Sequence, residues 1–151
     1  MEESTQTLAS RWKRLGGALL DGLIMTAIVV PLMWITGMFG QLAQGQPITL
    51  GQSAFLFVLG WGVFLAVNGY LLANKGQTVG KRVAGTRMVS HTDGQLLPLV
   101  KLFGLRYLVV GLIAHIPFLG GLFSLVDVLF IFREDRRCIH DLIAGTKVVD
   151  A

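Results

Sequence analysis

The chain has 151 residues and a net charge of +4, with 53% hydrophobic and 15% charged residues. A soluble domain carries about 25% charge, and a disordered chain is far less hydrophobic. A disulfide-stabilised secreted domain is excluded because Cys138 is the single cysteine. No charge occurs in residues 22–74, and Asp127 is the one charged residue in 107–132. The chain is therefore expected to be embedded in a membrane.

Two apolar tracts in the first half, at residues 15–38 and 53–73, are each long enough for a transmembrane helix. Their connection carries no charge, whereas cations precede the first tract and follow the second. Because positively charged residues favour the cytoplasmic side, the N-terminus and the loop after the second helix are predicted to be cytoplasmic. The cations are Arg11, Lys13 and Arg14 before the pair, and Lys75, Lys81, Arg82 and Arg87 after it.

The third apolar tract, residues 99–132, is too long for one ordinary span and short for two. Arginines follow it, so the C-terminus is also expected in the cytoplasm, which requires an even number of crossings. We therefore predict two helices, at residues 99–115 and 117–132, with a turn at Pro117. One long, proline-kinked helix with an external C-terminus is the alternative. The arginines that follow the tract are Arg133, Arg136 and Arg137.

A seven-residue pattern recurs at an offset of sixty residues, since 84–90 is similar to 144–150. Each copy follows a pair of apolar tracts and alternates polar and apolar residues after a glycine, which is strand patterning. Strand segments are predicted at about 84–97 and 144–150, pairing with each other in the cytoplasm. Chance similarity of two short stretches is the alternative.

Together these elements predict an all-α membrane protein in one domain, residues 1–151. It would have four transmembrane helices as two parallel hairpin repeats, about an axis normal to the membrane. A small cytoplasmic β element of two or three strands would complete the fold.

Three segments resemble the RDD family of bacterial membrane proteins: residues 14–21, 76–82 and 137–146. The resemblance covers nearly the whole chain and implies a multispanning protein of the bacterial cytoplasmic (inner) membrane. It assigns Arg14 and Asp21 as family residues, with either Asp127 or Asp141 as the second aspartate. It implies little chemistry beyond transport, including cation/proton antiport, that has been proposed for the family.

Polar residues lie at a similar depth in the four predicted helices. A charge inside a bilayer costs at least about 2.5–3.5 kcal/mol on insertion scales, so such groups normally face a partner or a wet cavity. Small residues on the same helix faces allow close packing, which predicts an internal polar layer. The candidate ion- or substrate-binding residues are Arg14, Asp21, Asn68, Arg106, Asp127 and Asp141.

Three interpretations of this layer compete. The charges could neutralise one another and fix helix register, or one carboxylate could stay uncompensated and bind a cation or proton during transport. A third interpretation is a lipid-headgroup or partner site at the cytoplasmic surface, for which plain positive-inside anchoring is the alternative. The candidate headgroup residues are Lys81, Arg82, Arg136 and Arg137.

The sequence predicts no enzyme activity, metal or other cofactor, because the histidines show neither a nucleophile partner nor metal-ligand spacing. No nucleic-acid partner is expected, since the cations flank apolar spans. The expected function is movement of an ion or small solute through the polar layer, with a non-transporting membrane scaffold or assembly subunit as the alternative. Membrane lipids are the expected partners, together with further copies of the chain or another membrane subunit.

Overall fold

The computed structural model describes residues 6–151 as a mostly helical molecule with one small sheet at one end. Eight α-helices and two strands occur in these residues, together with a π-helical and a 3₁₀ segment. In chain order they are α1 (Arg11–Ile35), α2 (Met38–Ala43), α3 (Leu50–Lys75), α4 (Val79–Val83), β1 (Thr86–Ser90), α5 (Leu99–Phe103), the π-helical Gly104–Leu108, α6 (Val109–Ala114), α7 (Leu119–Leu129), the 3₁₀ turn Phe130–Phe132, α8 (Ile139–Ala144) and β2 (Thr146–Asp150).

The two long helices α1 and α3 are apolar and long enough to cross a membrane. The core helix of a soluble protein would also be apolar, but it would be covered by the rest of the chain. None of the most apolar stretch of α1 is buried, and only 17% of that of α3 is. These surfaces therefore need an apolar environment outside the chain, as a lipid-facing helix does.

The helix ends follow local capping chemistry and shift the predicted bounds by a few residues. The side chain of Ser10 accepts the backbone N–H of Lys13, so α1 begins at Arg11. It ends at Ile35 and not at residue 38, because Gly37 adopts a left-handed conformation with φ of 74° and starts the short helix α2. The sequence analysis did not predict α2.

The third apolar tract folds as a helical hairpin. Arg106, before the turn, and Asp127, after it, both contact α8. One continuous helix would hold these two residues about 30 Å apart. The tract is therefore two shorter helical stretches, residues 99–114 and 119–132, and not one long kinked helix. The reversal passes through Phe118, whose φ is 62°.

The repeated sequence segments pair with each other as predicted. β1 and β2 form a two-stranded antiparallel sheet in which Met88 lies opposite Val148. Met88 and Val148 occupy the same position in the two copies of the repeat. Such a pairing of equivalent residues is what a two-fold axis between the halves requires. An isolated bridge from Leu8 to Val149 adds a third backbone segment at the other side of β2.

The sheet supplies much of the buried core. Met88, Val89, Val148 and Val149 are all buried, and because successive side chains of a strand point to opposite faces, both faces of the sheet are covered at these positions, whereas Arg87 is exposed. The short helices α4 and α8 lie directly before the strands, and each ends at a glycine with φ near 66°. The polar residues of the long helices meet this end of the molecule.

Candidate functional site

The short helix α4 begins against polar side chains of the two long helices. The side-chain oxygen of Asn68, on α3, accepts the N–H of Val79 at 2.9 Å. Asp21, on α1, accepts the N–H of Gly80 at 2.7 Å and the hydroxyl of Thr78 at 2.5 Å. The first turn of a helix leaves such N–H groups without intrahelical partners. Asn68 and Asp21 therefore act as caps that dock α4 onto the helices.

The other short helix, α8, begins in the same way against α7. Asp127 accepts the backbone N–H of His140 at 2.9 Å, and its second oxygen lies 2.6 Å from Nδ1 of the same residue. Burial and the nearby Arg106 lower the pKa of His140, which favours the neutral imidazole. A neutral ring whose Nδ1–H donates to Asp127 satisfies that carboxylate.

Asp141, fully buried on α8, connects two arginines from different helices. One carboxylate oxygen accepts Nη2 of Arg14 at 2.5 Å, and the other accepts Nη1 of Arg106 and the hydroxyl of Thr146. The oxygen that binds Arg14 also accepts the backbone N–H of Cys138 at 3.1 Å. The guanidinium groups are buried as well, with side chains 7% and 2% exposed. We name Arg14, Asp141 and Arg106 the arginine–aspartate clasp.

The electrostatics of α8 follow from this clasp. Burial acts to raise the pKa of Asp141, but the guanidinium groups of Arg106 and Arg14 together lower it well below its usual range. The carboxylate therefore stays ionised at neutral pH. Burial raises the pKa of the neighbouring Cys138 thiol to about 11. A thiol with this pKa is protonated and poorly nucleophilic at pH 7.

The side chains of Cys138, His140 and Asp141 offer three metal-ligand types within 4.8 Å of one another. However, both oxygens of Asp141 already bind guanidinium groups. Two fixed cations beside the ligand atoms would repel a metal ion and compete for the carboxylate. The donor set therefore fits a metal centre poorly.

A cavity of about 360 Å³ lies beside the clasp, between the long helices and the hairpin. Its volume is in the range of ligand pockets, about 300–1,000 Å³. One end is polar and the remaining wall is apolar or aromatic. The polar end is lined by Arg14, Asp21, Lys81, Arg106 and His140, and the apolar wall includes Trp61, Phe64, Val110, Gly111, Ala114 and Val128.

Arg106 has a hydrogen-bonding group to spare at this cavity. It is 3% exposed and lies in the π-helical segment, a type of distortion that is frequent at functional sites. Its Nη1 is bound to Asp141 and Thr146, but its buried Nε has no hydrogen-bond partner among residues 6–151. A buried donor without an acceptor is costly, so an acceptor group entering the cavity would be stabilised.

A second cavity of about 320 Å³ shares an aromatic wall with the first. Trp61, Phe64 and Tyr107 line both spaces. The rings pack edge to face or tilted, with centroids 5.5 Å apart for Trp61 and Phe64 and 4.9 Å apart for Phe64 and Tyr107. Gly111 permits this packing, because a Cβ there would overlap the indole of Trp61.

The structure divides the residues of the predicted polar layer into two groups. Asp21 and Asn68 contact α4, while Arg106 and Asp127 contact α8, the helix that carries Asp141. Arg14 joins the second group from α1, and of the two candidate aspartates it is Asp141 that Arg14 contacts.

The four cations assigned to lipid headgroups differ in their surroundings. Arg82 is exposed, and Lys81 lies at the cavity. Arg136 donates to the carbonyls of Leu8 and Ala9, and Arg137 donates to the carbonyl of Thr146.

Several residues of the site were missed by sequence reasoning. Thr146 carried a usable signal, because it follows Gly145 in the repeated segment 144–150, whereas Thr78 lies outside the repeated segments. Gly80 and Trp61 carried none, because their roles depend on long-range packing. Gly80 lets α4 approach α1 so closely that a Cβ there would meet Gly17 and Asp21.

The fold and the site define a class: a helical protein of membrane character, with two exposed apolar helices and two capped short helices around a small sheet. The RDD family model matches residues 8–145, and the chain belongs to the RDD family. It is 37% identical over 145 residues to the uncharacterized protein YckC of Bacillus subtilis strain 168, covering 95% of this chain and 85% of that protein. It is 31% identical over 144 residues to an uncharacterized protein of Haemophilus influenzae strain Rd, covering 93% of this chain and 77% of the relative. No solved structure matches the chain significantly.

Proposed function

We propose that this RDD protein spans the bacterial inner membrane four times and moves an ion or small solute with an acidic group through its central cavity. The observation that carries the proposal is Arg106, which lines the cavity and whose buried Nε has no acceptor among residues 6–151. A guanidinium donor in a low-dielectric cavity favours an anionic oxygen. Lys81 adds a second cation at the same end.

The three carboxylates near the cavity support an acidic solute over a cation. Asp21, Asp127 and Asp141 each accept at least two hydrogen bonds from the protein. A transported cation needs a carboxylate that its own surroundings leave uncompensated. Binding of a cation or proton by one of these aspartates stays a prediction that the flux measurement below tests.

The aromatic partition between the two cavities supports movement over static binding. Trp61, Phe64 and Tyr107 line both cavities, so movement of these rings would supply the gate that alternating access needs between them. A four-helix bundle of this size leaves little room for a continuous path, so we propose that the active form contains several copies or a membrane partner.

A membrane scaffold or assembly subunit is the second candidate function, and the clasp favours it. The two arginines and Asp141 form a buried network that ties α1 and the hairpin to α8. Such a network can serve fold specificity alone. Under this reading the protein moves no solute.

The membrane topology is tested with single cysteines at Gln44, Asp93 and Ala151 in a Cys138→Ser background. With both termini in the cytoplasm, an impermeant external thiol reagent should label intact cells at Gln44 alone. Labelling at Ala151 would contradict the four-span topology.

The transport proposal is tested with the full chain in sealed vesicles. Imposed gradients of inorganic phosphate, a small carboxylate, Na⁺ and H⁺ are compared using a voltage-sensitive dye and a pH-sensitive dye. We expect a response to an anion gradient, lost in Ala18→Phe, which fills the cavity, and kept in Ala27→Phe on the opposite face of α1. A Na⁺ or H⁺ response lost in a stable Asp21→Asn variant would favour the cation reading. If the folded protein moves none of these ions, the transport proposal fails and the scaffold function remains as the candidate.

A further inference from the structure

The cavity beside the clasp opens at the side of the helical bundle. Ala18 on α1 and Val128 on α7 both line it, and both are exposed, Val128 by 47%. Both helices are apolar, and α7 also exposes Leu122 and Leu125, so their outer surfaces need an apolar environment. In the proposed topology the opening therefore faces lipid and not water.

The cavity is amphiphilic along its length. Arg106 lies at its polar end, and Val110, Gly111 and Ala114 continue the same wall over about 12 Å of helix. The polar end lies beside α4 and α8, which the proposed topology puts at the cytoplasmic surface. A ligand that matches this wall has an acidic head at the cytoplasmic level and an apolar chain that points toward the membrane centre.

The hydrogen-bonding groups at the polar end specify an acceptor-rich head. Asp127 and Asp141 are bound by His140 and by the two arginines, and Asp21 accepts hydrogen bonds from the start of α4, whereas Nε of Arg106 is unpartnered among residues 6–151. The ammonium group of Lys81 takes part in none of the ion pairs within the same residues, which leaves it available. A phosphate supplies several charged oxygens, which arginine and lysine bind well.

We propose that the cavity binds an anionic phospholipid of the cytoplasmic leaflet, with its phosphate at Arg106 and Lys81 and one acyl chain along Val110, Gly111 and Ala114. The lipid enters sideways past Ala18 and Val128. The inference rests on the proposed function and narrows its solute to an acyl-chain amphiphile. It differs from surface anchoring by Arg82, Arg136 and Arg137, because the head is held inside the bundle.

Trp61 provides a direct probe, because it lines the cavity while the other two tryptophans, Trp12 and Trp34, are 80% and 71% exposed. The full chain with Trp12→Phe and Trp34→Phe is reconstituted in phosphatidylcholine vesicles. A small fraction of either chain-brominated phosphatidylglycerol or chain-brominated phosphatidylcholine is then added. Bromine quenches tryptophan fluorescence at close range, so selective occupancy appears as stronger quenching by the anionic lipid at the same mole fraction.

Two pairs of variants separate the cavity from the bulk membrane. Ala18→Phe should abolish the difference between the two brominated lipids, and Ala27→Phe should keep it. Lys81→Gln should weaken the selectivity about fivefold, the effect expected of one lysine acting on an anionic headgroup. Arg82→Gln removes the neighbouring exposed charge and should change it much less.

Each outcome decides between sources of the acidic group. Equal quenching by the two lipids, or equal effects of Lys81→Gln and Arg82→Gln, overturns the lipid inference. If inorganic phosphate then stabilises the detergent-solubilised protein against heat, and Ala18→Phe abolishes that gain, the cavity takes a water-soluble anion and the proposed function survives. If folded protein responds to neither probe, both the lipid inference and the anionic-solute function fail.

Discussion

The two short helices α4 and α8 have the same backbone arrangement but opposite electrostatics. Each is capped by a side chain of a longer apolar helix, α3 or α7, ends at a left-handed glycine and leads into a strand of the shared sheet. At the offset of sixty, however, the half-exposed Lys81 of α4 corresponds to the buried Asp141 of α8. The comparison shows that both halves of the repeat keep the same backbone arrangement, while the buried aspartate at the centre of the clasp occurs in the second half alone.

The largest difference between the halves should appear when each of these two charges is removed. Asp141→Asn leaves Arg14 and Arg106 buried without their counter-charge, and breaking such a pair costs about 3–5 kcal/mol. Lys81→Gln should stay within about 0.5 kcal/mol. Thermal unfolding of the full chain in detergent measures both. Similar losses would contradict the electrostatic asymmetry.

The pH dependence of stability shows in which direction the contribution of Asp141 changes. Because the pKa of Asp141 is lowered in the folded state, its stabilisation is present above the unfolded value of about 3.9 and is lost as the pH falls below it. The stability difference between the parent and Asp141→Asn should therefore be constant from pH 8 to about 5 and shrink below about pH 4. A difference that already shrinks near pH 6 would point to His140 instead.

A smaller effect is expected at Gly80, which corresponds to His140 in the other half. A Cβ at Gly80 would overlap the carbonyl oxygen of Gly17 and lie 2.7 Å from Cγ of Asp21. Gly80→Ala should therefore cost about 1–3 kcal/mol by overpacking. Gly16→Ala is the control: nothing in residues 6–151 lies within 4 Å of its Cβ position, so it should be neutral or stabilise α1 by up to about 1 kcal/mol. Equal effects would exclude a close approach of α4 and α1.

Substitutions at Thr78 and Cys138, the residues directly before α4 and α8, should differ less in their effect on stability. Thr78 accepts the N–H of Lys81 and donates to Asp21, so Thr78→Ala should cost about 1–2 kcal/mol. Cys138 corresponds to Thr78, and Cys138→Ser offers a better capping oxygen at nearly the same size. It should change stability by less than about 1 kcal/mol in either direction. A large loss at Cys138 would show that the buried thiol packs more tightly than its counterpart.

The two strands should contribute equivalently to the shared sheet, because they pair about the centre of the repeat. Disulfide crosslinking tests this register. In a Cys138→Ser background, cysteines at Met88 and Val148 should crosslink under mild oxidation, because directly paired residues lie about 4.5–5.5 Å apart. Cysteines at Met88 and Ile139 should not. The pairing direction is tested by Arg87 with Val149, which should crosslink, against Arg87 with Lys147, which should not. The reverse result would mean parallel pairing.

Local patterns predicted much of this fold. The charge-free residues 22–74 predicted the two long helices, and the repeated segments predicted strands that pair. Hydropathy and alternation are properties of neighbouring residues, so they survive without tertiary information. The helix ends were less accurate, because Gly37 ends α1 through a backbone conformation that the apolar pattern does not encode.

The candidate site was predicted in its residue types but not in its pairings. The sequence drew attention to Arg14, Asp21, Arg106 and two aspartates, and left open whether Asp127 or Asp141 belongs with Arg14. In the structure Arg14 binds Asp141, which is 127 residues away in the chain, and Asp127 binds His140. Ion-pair partners so far apart depend on how whole helices pack, which no local pattern records.

The sequence by itself determined the membrane character, the two long helices and the equivalence of the two strand segments, because each follows from composition or short-range order. Only the tertiary structure decided that the last apolar tract reverses, that one aspartate binds two arginines, and that Arg106 lines a cavity with an Nε that has no acceptor within residues 6–151. The physical reason is that burial and charge pairing are set by contacts between distant segments. A guanidinium group has the same chemistry everywhere in the chain, so its surroundings decide whether it forms a structural ion pair or binds a ligand.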